Sequence, residues 1–404
     1  MKSVKLPWGA WYQDDELHLE LPDDFQIDYY QLENRPALSE VELAKKLDDL
    51  ESILKPKKAE EIIIVVDDLT RPVILEPLLK VLLHKLTGAG VPKEGIKFLV
   101  GLGSHRPLSK EEMAKKIGRS IVDEYSCLNH NPQETMATGL QWGKTELKLN
   151  KYYLNADFRI VISGLTPHSF AGFSGGAKML IPGISDLEII SKTHKSVLMG
   201  FMGKLGEVEN NKFRAVIEEL VQKIGLEYFI GVVINGNRTL ADVFTGDFKE
   251  AHRLAAAKAR RLYLTTLKSE APYDLLVLNA FPKDTELLQA ENAFIPLKSA
   301  GDSIIKENGI VLVTSACSEG LGYHGLFGPQ GLLYRKPRPL RFLKGRKLIF
   351  YSPNISEQDF YTIFHDDYQL FTEQEKLSAF LEKHLPSKAR VAVFPLASLQ
   401  LARK

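Results

Sequence analysis

Residues 165–183, LTPHSFAGFSGGAKMLIPG, bring a histidine, a glycine-rich turn and a lysine into one short span. Gly172, Gly175 and Gly176 permit a sharp turn and a close backbone approach to a ligand, with successive N–H groups facing an anion. His168 precedes the turn and Lys178 projects from its end. Taken alone, the stretch also reads as a glycine-rich loop packed on a sheet, with Lys178 in solvent and His168 a turn residue. It does not read as a nucleotide phosphate loop, which requires Gly-Lys-Ser/Thr, because the order here is Gly176-Ala177-Lys178-Met179.

Three further clusters carry groups of the same kind. DDLTRP places Asp67, Asp68, Thr70 and Arg71 together, and GLGSHRP supplies His105 and Arg106. Ser185 and Glu188 have the spacing of a capping box that opens a helix, on which Leu187, Ile190, His194 and Val197 share one stripe. His194 is thereby expected to face the interior.

These groups sit where the elements end. The apolar runs 62–66, 96–100, 158–162 and 226–235 have the length and composition of strands covered on both faces. Asp68 and Arg71, then His105, then His168 follow the carboxyl ends of three of them, the edge at which open α/β sheets bind ligands. Helices are expected at 39–54 with a Ser39–Glu42 box, from Pro72 to 88, from a Ser109–Glu112 box onward, and over 247–261. Residues 4–21 read as a hairpin that adds antiparallel strands at a sheet edge. After a link at 262–271, strands at 273–279, 309–314, 347–351 and 390–394, with a helix over 281–294, form a second α/β region. The expected fold is α/β, two lobes with mainly parallel sheets and an active-site cleft between them. An N-terminal cofactor-binding domain would span 1–268 and a C-terminal domain 269–404.

Composition limits the function. The chain has 404 residues, 44% of them hydrophobic, and its 52 Lys plus Arg nearly balance 51 Asp plus Glu. That balance gives no general surface for nucleic acid or an anionic membrane, and a small-molecule partner is expected. Two cysteines form no disulfide framework, the first residues lack a signal-peptide core, and no run is long enough to span a membrane, so a cytoplasmic place is expected.

The set DDLTRP, GLGSHRP, PHSFAGFSGGAKMLIPG, THK, GDFKEAHR, FPKDTELLQA and SEGLG resembles the lactate racemase family, the nickel-pincer-dependent racemases and epimerases of 2-hydroxyacids. The resemblance covers most of the chain. It implies an isomerase that passes a hydride to its cofactor and back through a 2-keto acid. It implies nickel and a pyridinium-3,5-bisthiocarboxylic acid mononucleotide linked to Lys178, with His194 as the imidazole ligand of the metal. His105 and His168 would be acid and base, Asp68, Arg71, Gly175 and Gly176 would line the cofactor, and Arg71 and Gln289 would meet substrate. Histidines suit the proton work because their ordinary pKa lies near neutrality. Enzymes that build the cofactor would be transient partners.

The resemblance is incomplete around the substrate. Asn292 stands where the lactate enzymes have a lysine, and Leu288 where an aromatic hydroxyl is usual, which points to a 2-hydroxyacid other than lactate. Two other classes are to be weighed. A nicotinamide-dependent 2-hydroxyacid dehydrogenase would need G-x-G-x-x-G, but Gly101-Leu102-Gly103 continues as Ser104-His105-Arg106. A non-catalytic cofactor-binding homologue would have lost a working group, yet His105, His168, Lys178 and His194 are all present.

Overall fold

The computed structural model describes residues 1–198, 200, 203–268 and 272–403. The chain divides into two compact units, Asn34–Arg261 and a second that joins Met1–Glu33 to Leu262–Lys404.

In the first unit a six-stranded sheet runs in the order Leu240–Gly246, Tyr228–Ile234, Phe158–Gly164, Ile62–Asp67, Ile96–Gly101, Ser126–Asn129. All neighbours are parallel except the edge pair of Leu240–Gly246 with Tyr228–Ile234. Ile62, Ile63, Ile64, Val65 and Val66 are each 1% exposed or less. Each contributes roughly 1.5–3 kcal/mol by leaving water, so this strand tolerates polarity only at its end. From Ile62–Asp67 the chain first builds outward through Ile96–Gly101 and Ser126–Asn129, then crosses back to add Phe158–Gly164 on the other side. Loops leaving the sheet at that reversal diverge and open a crevice at its carboxyl edge.

The Ser39 and Ser109 capping boxes form as their spacing predicts. The expected helix over 39–54 is instead two, Glu40–Lys46 and Leu50–Leu54. The Ser185 box does not form. Ser185 Oγ donates to Leu180 O at 3.0 Å, and Asp186 caps the helix Leu187–Leu198 by accepting from Ile189 N at 3.0 Å. Ile190 is buried as expected, but Leu187 is 55% exposed, because a residue in the first turn overhangs the loop. The side chain of Val197 lies outside the described residues.

The second unit holds a wholly parallel sheet, ordered Gln369–Phe371, Lys347–Tyr351, Ile305–Thr314, Tyr273–Asn279, Arg390–Phe394, Gln26–Tyr29. Its strand order reverses between Tyr273–Asn279 and Arg390–Phe394. The unit boundaries therefore differ from the expected 1–268 and 269–404. Gln26–Tyr29 is the edge strand beside Arg390–Phe394, which takes the first 33 residues into the unit of the C-terminus. The hairpin Lys2–Pro7 with Glu16–Leu21 is present, but as a separate two-stranded sheet. The expected link contains a strand, Leu264–Thr266, paired in parallel with Leu401–Arg403. The helix expected over 281–294 is a 3₁₀ run Leu287–Phe294 that passes into the helix Ile295–Ala300, whose first turn accommodates Pro296. No helix among the described residues is long and apolar enough to cross a membrane.

Candidate active site

The crevice edge of the first unit is built outward from Asp68. Its Oδ1 accepts from Thr70 N at 3.0 Å and Thr70 Oγ1 at 2.5 Å, and Thr70 Oγ1 in turn accepts from Arg71 Nη1 at 2.9 Å. Its Oδ2 lies 2.5 Å from His105 Nδ1. Burial by itself would raise the Asp68 carboxyl, but the charge and hydrogen bond of His105, with Arg71 and Thr70, hold it far below the usual carboxylate range. An ionised carboxylate at Nδ1 fixes the proton there and makes Nε2 the basic nitrogen of His105.

The loop carrying Arg71 is anchored from beneath. Lys116, 1% exposed, places its Nζ 2.6 Å from Asp67 Oδ1 and donates to Arg71 O at 2.8 Å. Asp67 Oδ2 accepts from Gly164 N at 2.6 Å, which ties the ends of the two central strands together across the reversal. Lys116 was not anticipated from sequence. The available signal was a lysine sharing the buried face of its helix with Met113 and Ile117.

The glycine-rich turn is pressed against this edge. Gly175, at φ 79°, would bring a Cβ within 2.3 Å of Ser163 Oγ, and Gly176, at φ 64°, within 2.8 Å of the His252 ring. Both positions therefore require glycine. Behind the turn, Arg214 donates from Nε to Ala171 O at 3.1 Å and from Nη2 to Phe173 O at 2.5 Å, while His252 Nε2 pairs with Ser174 O at 2.8 Å. Withdrawal from water, together with the Arg71 and Arg214 cations, lowers Lys178 from 10.5 to about 7, with Asp68 opposing. Near neutral pH much of Lys178 is the free amine. Ser163 Oγ, Arg214 Nη1 and His252 Nδ1 are buried here without a hydrogen-bond partner among the described residues. Such atoms are ordinarily paired; Arg214 Nη1 instead forms an ion pair with Glu218 Oε1 at 3.8 Å.

His168 and His194 converge through Phe170. The Phe170 ring centroid is 4.3 Å from that of His168 and 6.5 Å from that of His194, edge to face in both cases. His168 Nδ1 accepts from Phe170 N at 3.4 Å and Ala171 N at 3.3 Å, which assigns its proton to Nε2. His194 Nδ1 donates to Ile190 O at 2.7 Å, leaving a lone pair on Nε2. Burial holds His194 down at about 4, and the nearby Lys178 and His105 push in the same direction, so its imidazole is neutral. Asp68, Arg71, His105, His168, Gly175, Gly176, Lys178 and His194 thus all belong to one unit and one edge of its sheet. Leu288, Gln289 and Asn292 belong to the second unit, on the 3₁₀ run beyond the strand Tyr273–Asn279.

The fold is α/β, and one edge of its first sheet gathers three imidazoles and the Lys178 amine. The family profile "Lactate racemase N-terminal domain" matches residues 12–202. The chain is 25% identical to a lactate racemase of Thermoanaerobacterium thermosaccharolyticum over 349 residues, 81% of this chain and 77% of that protein. It is 26% identical to a lactate racemase of Lactiplantibacillus plantarum over 284 residues, 69% of this chain and 65% of the relative. Among solved structures, the lactate racemase apoprotein of T. thermosaccharolyticum superposes with a TM-score of 0.74 at 21% identity, covering 100% of both chains. A protein of Thermotoga maritima superposes at 0.69 and 19% identity, covering 92% of this chain and 99% of its own. Residues 12–202 thus match the N-terminal domain of lactate racemases, and the chain is an isomerase similar to these enzymes.

Proposed function

We propose that this enzyme is a racemase or epimerase of a 2-hydroxyacid, acting in the cytoplasm with a nickel-pincer nucleotide held by Lys178 and His194. The donor set fits such a group. His194 presents one neutral imidazole nitrogen, Lys178 is an amine with a nucleophilic fraction near neutral pH, and Arg71 is positioned for an anionic group. When bound, the nickel-pincer nucleotide supplies an acceptor for the α-hydrogen as hydride.

The observation that carries the reading is the opposite polarity of the two site histidines. His105 offers a lone pair at Nε2, set by Asp68, and His168 offers an N–H at Nε2, set by the backbone of Phe170 and Ala171. His105 takes the hydroxyl proton of one enantiomer, and His168 binds the oxygen of the other. To deliver a proton, His168 must first gain a second one at Nδ1, which displaces its two long backbone contacts at 3.4 and 3.3 Å. One inversion leaves a proton on His105 and removes one from His168, and exchange with water resets the pair.

Asn292 and Leu288 favour a 2-hydroxyacid other than lactate. The test is coexpression with cofactor-building enzymes, then intact mass, nickel analysis and a racemisation screen over 2-hydroxyacids. An adduct on Lys178, nickel lost with His194→Ala, and inversion of at least one acid are expected. An active preparation with unmodified Lys178 would overturn the proposal.

A further inference from the structure

We infer that the buried Lys116–Asp67 pair begins a polar spine, continued by Gly164 and Ser174, that sets the spacing between the His105 side of the crevice and the His168 side, an inference that rests on the function proposed above. The last residues paired between the strands Ile62–Asp67 and Phe158–Gly164 are Val66 and Ile162. The ladder stops there, and side chains must hold the two strand ends together beyond it.

The Asp67 carboxylate makes the first link. Its Oδ2 accepts from Gly164 N at 2.6 Å and its Oδ1 lies 2.6 Å from Lys116 Nζ, which also donates to Arg71 O at 2.8 Å. Gly164 O then accepts from Ser174 Oγ at 2.7 Å, and that hydroxyl oxygen accepts from Thr166 N at 2.9 Å. Ser174 N donates back to Thr166 O at 2.9 Å. The spine thus joins the loop of Arg71, the strand end that leads to His168, and the glycine-rich turn that leads to Lys178. Lys116, Asp67, Thr166 and Ser174 are each 3% exposed or less, so water does not compete for these bonds.

Position, more than stability, is what such a chain supplies. A buried ion pair is costly to desolvate and adds little net stability, but it favours one arrangement of its partners. Asp68, which orients His105, directly follows Asp67, and His168 lies four residues after Gly164. A shift of Asp67 against Gly164 therefore moves one imidazole relative to the other, and a displacement of about 1 Å can cost roughly 10²-fold in rate. A lysine suits the junction because its ammonium can serve a carboxylate and a carbonyl together. Lys116, Asp67 and Ser174 are positioning residues, acting through His105 and His168.

The test is amide hydrogen exchange in the cofactor-free protein, with kinetics of the loaded enzyme beside it. Lys116→Met with Asp67→Asn removes both buried charges and keeps an oxygen for Gly164 N. Exchange at Thr166 and Ser174, which these substitutions do not touch, should quicken by roughly tenfold or more. Ser174→Ala should act along the spine in the other direction, quickening Thr70, Arg71 and Val73, whose N–H groups bond within their own loop. In the loaded enzyme both variants should lose roughly 10²-fold in kcat, with KM within about threefold of the parent. If the double variant fails to fold, Ser174→Ala decides alone by the same two readings. Exchange changes confined to each variant's own segment, or a kcat within about threefold of the parent, overturn the inference and leave the pair a local support. A loaded parent enzyme that inverts no 2-hydroxyacid overturns the proposed function instead, and is distinguished because the exchange result is read without cofactor or substrate.

Discussion

Asp68 Oδ2 lies 2.5 Å from His105 Nδ1, and Thr70 holds the other carboxylate oxygen, so the imidazole is oriented by an anion that is itself immobilised. Asp68→Asn keeps the shape but removes the charge, and its amide no longer enforces one tautomer. Turnover should fall by roughly 10²–10⁴, with KM changed much less and the fold intact by circular dichroism. Turnover within threefold of the parent would confine Asp68 to a structural role.

Lys178 should behave as an abnormal amine. With its pKa at about 7, its labelling by a limiting amine reagent should reach half of its maximum near neutral pH in the cofactor-free protein. Ordinary surface lysines titrate near ~10.4. Arg214→Met removes one of the cations that disfavour its charge, and should move the Lys178 midpoint upward. Peptide-resolved labelling in which Lys178 follows the surface lysines would remove the amine from the attachment chemistry.

Sequence revealed the polar groups at the strand ends better than their supports. Asp68, His105 and His168 were legible because strand ends follow from apolar run length, and polar residues clustered there stand out against the buried strands. His194 was correctly placed on its helix, but the cap was assigned one residue early, since Ser185 and Asp186 are both able caps and only the Ser185 bond to Leu180 O decides between them. Lys116 and Arg214 escaped notice because each lies in an amphipathic helix where a cation reads as solvent-facing. Their burial depends on carbonyls supplied from far along the chain. The affiliation of the first 33 residues was equally hidden, because a parallel edge strand carries no local record of its partner.

Asp284 gives the second unit a pH-dependent stability. Burial pushes its carboxyl from 3.8 to about 7, with a bond from Gly9 N at 2.9 Å to Oδ2 opposing, and Oδ1 is buried without a partner among the described residues. The folded protein therefore favours the protonated acid. This contribution is complete below about pH 4 and is lost as pH rises toward 7, by at most ~4 kcal/mol. Denaturant unfolding should show the parent losing stability between pH 4 and 7 relative to Asp284→Asn, and no further divergence above pH 8. Parallel curves throughout would show that Asp284 is already ionised at low pH.

The remaining prediction separates hydride transfer from the simpler alternative, in which His105 and His168 remove and return the α-hydrogen as a proton. A proton resting on an imidazole nitrogen exchanges with water, and His105 and His168 are each partly exposed at the crevice edge. Hydrogen that moves between carbon centres as hydride is never bound to nitrogen or oxygen, so it keeps its isotope. Inversion in deuterated water should then yield product with little deuterium at the α-carbon, although the hydroxyl proton handled by His105 exchanges freely. Substrate deuterated at the α-carbon should retain its label, and should react more slowly if that transfer limits the rate. His105→Asn and His168→Gln should each reduce inversion by roughly 10²–10⁴ without altering this retention in the residual product. One solvent deuterium gained per inversion would instead assign the two histidines to a plain two-base racemase, with Lys178 and His194 outside the chemical step.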